Sequence, residues 1–432
     1  EAVVHGPVKH GDLLCEDFGP ADRVVLIDGF YHQAGAVRHK EILLVMASGA
    51  EVIGAASMGA IRAAELWSLG MTGIGEVFRQ YRDGELTADD EVAVAHGDGP
   101  EFLRTGEALV TIRQTLNRAR LTGLVTGGEA SSLLEHAQAL PYPERSWAAI
   151  EHRAARLTPE VMLAAAKARG YAQANSKALD LKSRDARAAI RYAVSGRRPA
   201  VADLPSLCER AAWRTEYLPD WQARFHGQTV GGEFVSDLQV ARHTQLHDAG
   251  FPARWRQYVL TVIAGFGQGD PAGGALRAAA ARGLDAESLT ADQAAWWVTP
   301  EEMRTLEPDE LLLIILVRSY RPSRGDMDIV AATGASDSAL AIRAAIAEHH
   351  AVNTAVGAKS PHWQLPHLNR GALATGLTAL WEASEMTDAG RDAVARDRGF
   401  ASFDAAVEAF RPFFLRAHLI ETRRATSAKA TA

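Results

Sequence analysis

The chain has 432 residues, long enough for two or three domains and a sizeable core. It carries 46 basic and 53 acidic residues, a formal net charge of −7, which argues against a protein built mainly to hold nucleic acid. Hydrophobic residues at 47% and charged residues at 23% exclude disorder of the chain as a whole.

In chain order, Val24-Val25-Leu26-Ile27 is a compact apolar run closed by Asp28-Gly29, the pattern of a buried strand ending in a turn. Arg38 to Ser48 reads as a helix stopped by Gly49. Glu51 to Ala55 is a second short strand, and Ser57 opens a second helix, Met58 to Leu69, which Gly70 ends. Strand, helix, strand, helix at this spacing predicts a βαβ unit with parallel strands. Glu91 to Ala95 reads as a further strand. Ala108, Leu109, Ile112, Leu116 and Ala119 share one face of a helix ended by Gly123.

Beyond residue 126 strand patterns fade. Gly128 to Leu140, Pro159 to Arg169 and Ser183 to Ser195 read as helices, Ser195 to Pro199 as a linker, and Arg321 to Asp326 as a surface loop. Asp309 to Ser319 and Ala339 to Ala351 have helical periods, and Glu421 to Ala432 reads as a frayed tail. The expected architecture is an α/β N-terminal domain with a short parallel sheet, followed by a largely α-helical C-terminal region. The expected divisions are 1–125 for the α/β core, 126–198 for a helical segment packing on it, and 199–432 for a helical C-terminal domain. The most apolar run, Leu311 to Val317, is far shorter than the ~20 residues that span a bilayer. No signal segment opens the chain, so a cytoplasmic protein is expected. Cys15 and Cys208, the only cysteines, exclude a disulfide framework and a four-cysteine zinc site.

The chemistry concentrates between Asp28 and Leu69. In a parallel α/β unit, ligands bind beyond the carboxyl ends of the strands. Topology alone brings Asp28 (end of the first strand), Ser57 (after the second) and Lys40 (first turn of the intervening helix) to that edge. Gly54-Ala55-Ala56-Ser57-Met58-Gly59 is rich in small residues, which permits a sharp strand-to-helix turn that presents the serine. It is similar in logic to the G-x-S-x-G nucleophile elbow, with one glycine offset. The Met58 and Gly59 amides, at the start of the helix, are candidate oxyanion donors. A lysine serves as base only when its amine is held neutral, which burial and the positive end of its own helix favour; Lys40 has both available. His32 and His39 lie nearby in sequence, and Arg62 lies a little over one turn along the helix from Ser57.

Each feature has a plainer reading. Ser57 is also what a helix N-cap looks like, and Asp28-Gly29 what a turn looks like. Asp89-Asp90-Glu91 reads as an acidic strand entry rather than a cation site. His349-His350, Trp296-Trp297 and Trp363 read as core or interface residues without metal-ligand spacing, and Arg113, Arg118 and Arg120 as a solvated helix face. No G-x-x-x-x-G-K-[ST] is present to support nucleotide binding.

Ile27 to Gln33, His39 to Leu43, and Gly54-Ala55-Ala56-Ser57-Met58-Gly59-Ala60-Ile61-Arg62-Ala63-Ala64-Glu65-Leu66 resemble the core of the TfuA family. Gly11-Asp12-Leu13, Gly70-Met71, Gly73-Ile74-Gly75, Asp89 to Val94 and His96 continue the resemblance, which spans roughly residues 7–120. It implies a protein that accompanies a YcaO enzyme in making peptide backbone thioamides. It further implies hydrolysis of the C-terminal thiocarboxylate of a ubiquitin-like carrier, ThiS, by a Ser-Lys pair, at positions Ser57 and Lys40. Met58 and Gly59 would form the oxyanion hole, with Asp28, His39 and Arg62 in support. No cofactor or metal is expected in this chain, since ATP and Mg belong to the YcaO partner. The expected partners are YcaO, the ThiS-like carrier and the peptide, with no nucleic acid and no membrane. The competing reading is a non-catalytic scaffold that docks YcaO and its peptide. The chain departs from the family at Gly35-Ala36-Val37-Arg38, where a Val-Pro-Ala-Val-Trp-like approach is usual. The family's opening strand and Gly-Pro-Ser-Leu stretch are expected ahead of Glu1.

Overall fold

The computed structural model describes residues 2–97, 104–196, 215, 217–266, 269–285, 288–322, 324–334, 338–360 and 362–418. They form two compact units, Glu1–Thr215 and Glu216–Ala432. An α/β sheet region opens the chain and the remainder is mostly helical. Cys208, the centre of the expected linker and the tail after 418 lie outside the described residues.

The first unit is built on three parallel strands in the order β1 (Arg23–Leu26), β2 (Glu51–Ala55) and β3 (Thr72–Ile74). Helices α1 (His39–Ala47) and α2 (Met58–Leu66) are the crossovers, and their apolar stripes pack with Leu26 and Val52 in one core. On the other face Ile53 and Ala55 meet Ala189 of α9 (Leu181–Val194). A strand covered on both faces needs a continuous apolar run, which is what Val52-Ile53-Gly54-Ala55 supplies. α9 runs antiparallel to the strands. Its end is tied to their amino edge, where Tyr192 donates to Glu51 and Arg23 donates to the Ala193 carbonyl. Its start therefore lies at their carboxyl edge. α3 (Glu76–Arg82) follows β3. Then α4 (Leu109–Leu121), α5 (Gly127–Gln138), α6 (Trp147–Ala154) and α7 (Pro159–Ala174) share a second core around Ile112, Leu133 and Ile150. The short α8 (Ser176–Leu179) leads into α9.

The strand expected at Glu91 to Ala95 does not form: Asp89–Glu91 is a single 3₁₀ turn. Its acidic side chains are drawn into ion pairs instead. Glu91, buried, is held by Arg113 (2.7 Å), so Arg113 is not part of a solvated face. Asp90 is held by the fully buried Arg145, which also donates to the Asp90, Ala137 and Leu140 carbonyls. Arg145→Met would leave those buried acceptors bare, and we expect a loss of about 3 kcal/mol in denaturant unfolding; an unchanged midpoint would contradict this network.

In the second unit, β4 (Gly227–Val230) and β5 (Glu233–Ser236) form an antiparallel hairpin, a feature absent from the sequence-based expectation. Its two-residue turn is Gly231-Gly232, both at positive φ, the conformation that tight hairpins require and glycine supplies. The helices that follow bury Leu246, Ile346, Leu377 and Phe410 in one cluster and Phe251, Trp255, Val259 and Val317 in another. Among the described residues no helix is long and apolar enough to cross a membrane.

Candidate functional site

Ser57 occupies the turn between β2 and α2 and is buried. It stands at the N-cap position, but its side chain makes no capping hydrogen bond. The plain capping role is therefore not what the hydroxyl does. The preceding Ala56 has φ 70°, a left-handed conformation that an alanine rarely adopts. Such strain persists only where the surroundings impose it, and it clusters at functional sites. Here the surroundings are two close approaches. A Cβ on Gly54 would lie 2.1 Å from the Gly59 carbonyl oxygen, and one on Gly59 would lie 1.9 Å from the Leu26 carbonyl oxygen. The start of α2 is thus pressed onto the end of β1. Two amides fasten it there: Ser57 N–H (3.2 Å) and Gly59 N–H (3.3 Å) both donate to the Ile27 carbonyl.

That fastening corrects one expectation. The Gly59 amide already has an acceptor, so it is not a free oxyanion donor in this arrangement. Met58, at the first helical position, has no intrahelical acceptor for its amide, as helix geometry dictates. Asp28 is brought to the same edge, one residue beyond Ile27. Gly29 closes against the turn, where a Cβ would lie 3.0 Å from Met58 Cγ.

Lys40 lies in the first turn of α1, half-buried, and its Nζ donates to Thr215 Oγ1 at 3.0 Å. It makes no hydrogen bond to Ser57, so the expected Ser-Lys contact is not formed in this structure. The neighbouring Glu41 is fully buried. It accepts from the Gly11 and Arg38 amides and pairs with His10 Nδ1 at 2.5 Å, anchoring the start of α1. His39 and Arg62 meet on a shared carboxylate, Glu65, at 2.8 and 2.7 Å, and Arg62 also donates to the Val37 carbonyl. Burial pushes the Glu65 carboxyl up, but the hydrogen bonds from His39 and Arg62 outweigh it and hold the group below its ordinary range. These two residues therefore lock α1 to α2 through Glu65.

A lysine distant in sequence joins the edge. Lys182, in the first turn of α9, donates to the Val92 carbonyl at 2.9 Å and stands 3.8 Å from Asp28 Oδ2. Nothing around residue 182 in the sequence marks it; only the packing of α9 across the sheet places it there. A cleft of about 440 Å³, lined by Tyr31, His32, Asp90, Pro141, Tyr142 and Pro143, opens just beyond the end of β1. His32 stacks on Tyr31 at 4.2 Å and faces the Tyr142 hydroxyl at 3.3 Å. Burial, with Asp89 and Asp90 nearby, pushes the Tyr31 hydroxyl up. Among the described residues no cluster of histidine, cysteine or carboxylates has the geometry to hold a metal ion.

Comparison with known proteins matches residues 28–146 to the family model described as TfuA-like protein. No curated protein matches the chain. The matched span begins at Asp28 and contains Lys40, Ser57 and the Tyr142 cleft. Residues 28–146 thus form a TfuA-like region.

Proposed function

We propose that the chain supports YcaO-dependent thioamidation of a peptide backbone by hydrolysing the thiocarboxylate of a ThiS-like, ubiquitin-like carrier at Ser57. The observation that carries this reading is the Ser57 turn: a buried serine, spared from capping, directly after the strained Ala56 and pressed against the end of β1. Ser57 Oγ attacks the thiocarboxylate carbon, and the Met58 amide stabilises the oxyanion. A lysine carries the hydroxyl proton to the departing sulfur, so the C–S bond breaks as hydrosulfide leaves and an acyl-serine forms. Water then attacks that ester, giving the carrier carboxylate and free Ser57. Lys40 is the lysine that the family resemblance points to; its amine must leave Thr215 Oγ1 to take part. Sulfide is a far better leaving group than an amine, which lightens the demand on the base.

The test is sulfide release from the thiocarboxylated carrier. Ser57→Ala is expected to lower the rate by about 100-fold or more, and Lys40→Ala to lower it if Lys40 carries the proton. A wild-type rate in Ser57→Ala removes the proposed nucleophile. The occupied Gly59 amide and the Lys40–Thr215 bond favour a second reading, in which this face docks YcaO and its peptide without covalent chemistry. Binding of YcaO retained at full strength by Ser57→Ala, with no acyl-Ser57 trapped by mass spectrometry, would support it.

A further inference from the structure

The carboxyl edge of the sheet holds a titratable pair, Lys182 and Asp28, that the scheme above leaves unused. Lys182 has a side chain only 16% exposed, at the start of a helix whose N-terminus faces this edge. One N–H is committed to the Val92 carbonyl. Asp28 approaches from the end of β1, Asp180 from the residue before α9, and Arg104 from the segment ahead of α4. Asp28 is one residue from Ile27, whose carbonyl holds both amides of the Ser57 turn. The pair therefore sits on the same end of the sheet as Ser57, on the piece of backbone that positions it. Burial and the nearby Arg104 guanidinium favour a neutral amine at Lys182, while Asp28 and Asp180 favour the charged form; burial dominates and the group titrates below an ordinary lysine. Once it has lost a proton, an amine that donates one N–H to a carbonyl keeps its lone pair free to accept one.

We infer that Lys182, held by Asp28 and the Val92 carbonyl, is a further residue of the Ser57 site and carries the proton between Ser57 Oγ and the leaving group. The inference rests on the Ser57 reading. The step balances: the O–H bond breaks as the Oγ–carbon bond forms, Nζ takes the proton, and it passes to sulfur as the C–S bond breaks.

A fluorophosphonate probe tests this without the native substrate, because Ser57 Oγ would attack phosphorus and expel fluoride. Labelling of the full chain is followed by intact mass from pH 6 to pH 10. Wild type is expected to take up one label, faster as pH rises, and Ser57→Ala none. Lys182→Arg keeps a donor for Val92 but stays cationic across this pH range and accepts no proton. It is expected to slow labelling by about 100-fold and to flatten the pH profile. Asp28→Asn removes the charge that favours the ammonium, so the midpoint of the profile should move to lower pH. A purely structural pair would not move it. Lys182→Arg labelling at the wild-type rate and profile, with Ser57→Ala unlabelled, overturns the Lys182 inference and leaves Ser57 standing. The same holds if Lys40→Arg alone abolishes labelling. An unlabelled wild type, or a Ser57→Ala variant that labels normally, overturns the Ser57 reading itself. Should Lys182→Arg fail to fold by thermal melt, the Asp28→Asn midpoint decides.

Discussion

Gly59→Ala is expected to cost about 4 kcal/mol or more, enough to deplete the folded protein. The added Cβ would sit 1.9 Å from the Leu26 carbonyl oxygen and 2.5 Å from its carbon. Both are backbone atoms of β1, paired in register with β2, so no side chain can swing aside to relieve the clash. Relief requires lifting α2 off the strand. That would also break the Gly59 and Ser57 amide bonds to Ile27 and open the core of Ala60, Ile61 and Ala63 against the sheet. Gly170→Ala is the control. Gly170 lies within α7 with nothing near its would-be Cβ, and alanine there should gain about 0.5–1 kcal/mol through helix propensity. Denaturant midpoints for the two variants should move in opposite directions. A wild-type midpoint for Gly59→Ala would mean that α2 does not rest on β1 as described, and the Ser57 turn would lose its strain.

Acid is expected to destabilise the second unit well above the pH at which carboxylates protonate. His243 and His247 stack at 4.1 Å on one helix, Asp237–His247. His349 faces them from the helix Ala339–Lys359 and is 3% exposed, its Nδ1 buried without a hydrogen-bond partner. Burial first, then neighbouring histidines and Arg416, push His243 and His349 down to about 3. Burial also lowers His247, against the opposing bond that its Nδ1 makes to the His243 carbonyl. The sign follows from which state binds protons. Above about pH 6.5 the rings are neutral whether folded or unfolded. Below it the unfolded chain takes up protons that the folded cluster refuses, so stability falls with pH by about 1.4 kcal/mol per unit per histidine. At pH 4.5 His243 and His349 together would remove roughly 5 kcal/mol, comparable to the whole stability of many domains. Unfolding free energies measured from pH 7.5 to pH 4.5 should show this slope. His349→Phe, which keeps the packing on Phe413, should reduce it by about one proton. An unchanged slope in that variant would rule the cluster out as the cause.

Much of the sheet region was legible in the residues. The run Val24 to Ile27, the stretch Glu51 to Ala55 and the helix starts at His39 and Met58 lie within a residue or so of where their patterns predict. Each is a local signal: an apolar run for a two-sided strand, a glycine stop for a helix. The strand at Glu91 to Ala95 does not form because its acidic entry is claimed by two arginines from far along the chain, Arg113 on α4 and Arg145 just ahead of α6. The hairpin at Gly231-Gly232 carries its signal only in the glycine pair, since the stretches flanking its strands are helical.

The sequence by itself determined the βαβ order, the small-residue turn around Ser57 and the gathering of Asp28, Lys40 and Ser57 toward one sheet edge, because these depend on short-range spacing and on a topology with few alternatives. Only the tertiary structure decided which groups have partners. The Gly59 amide is spent on Ile27, Lys40 reaches Thr215, and Lys182 arrives beside Asp28 from far along the chain because α9 must cover the apolar back of the sheet. Burial and hydrogen bonding between distant segments leave no local trace in composition or period, and they set both the strain at Ala56 and the charge at the site.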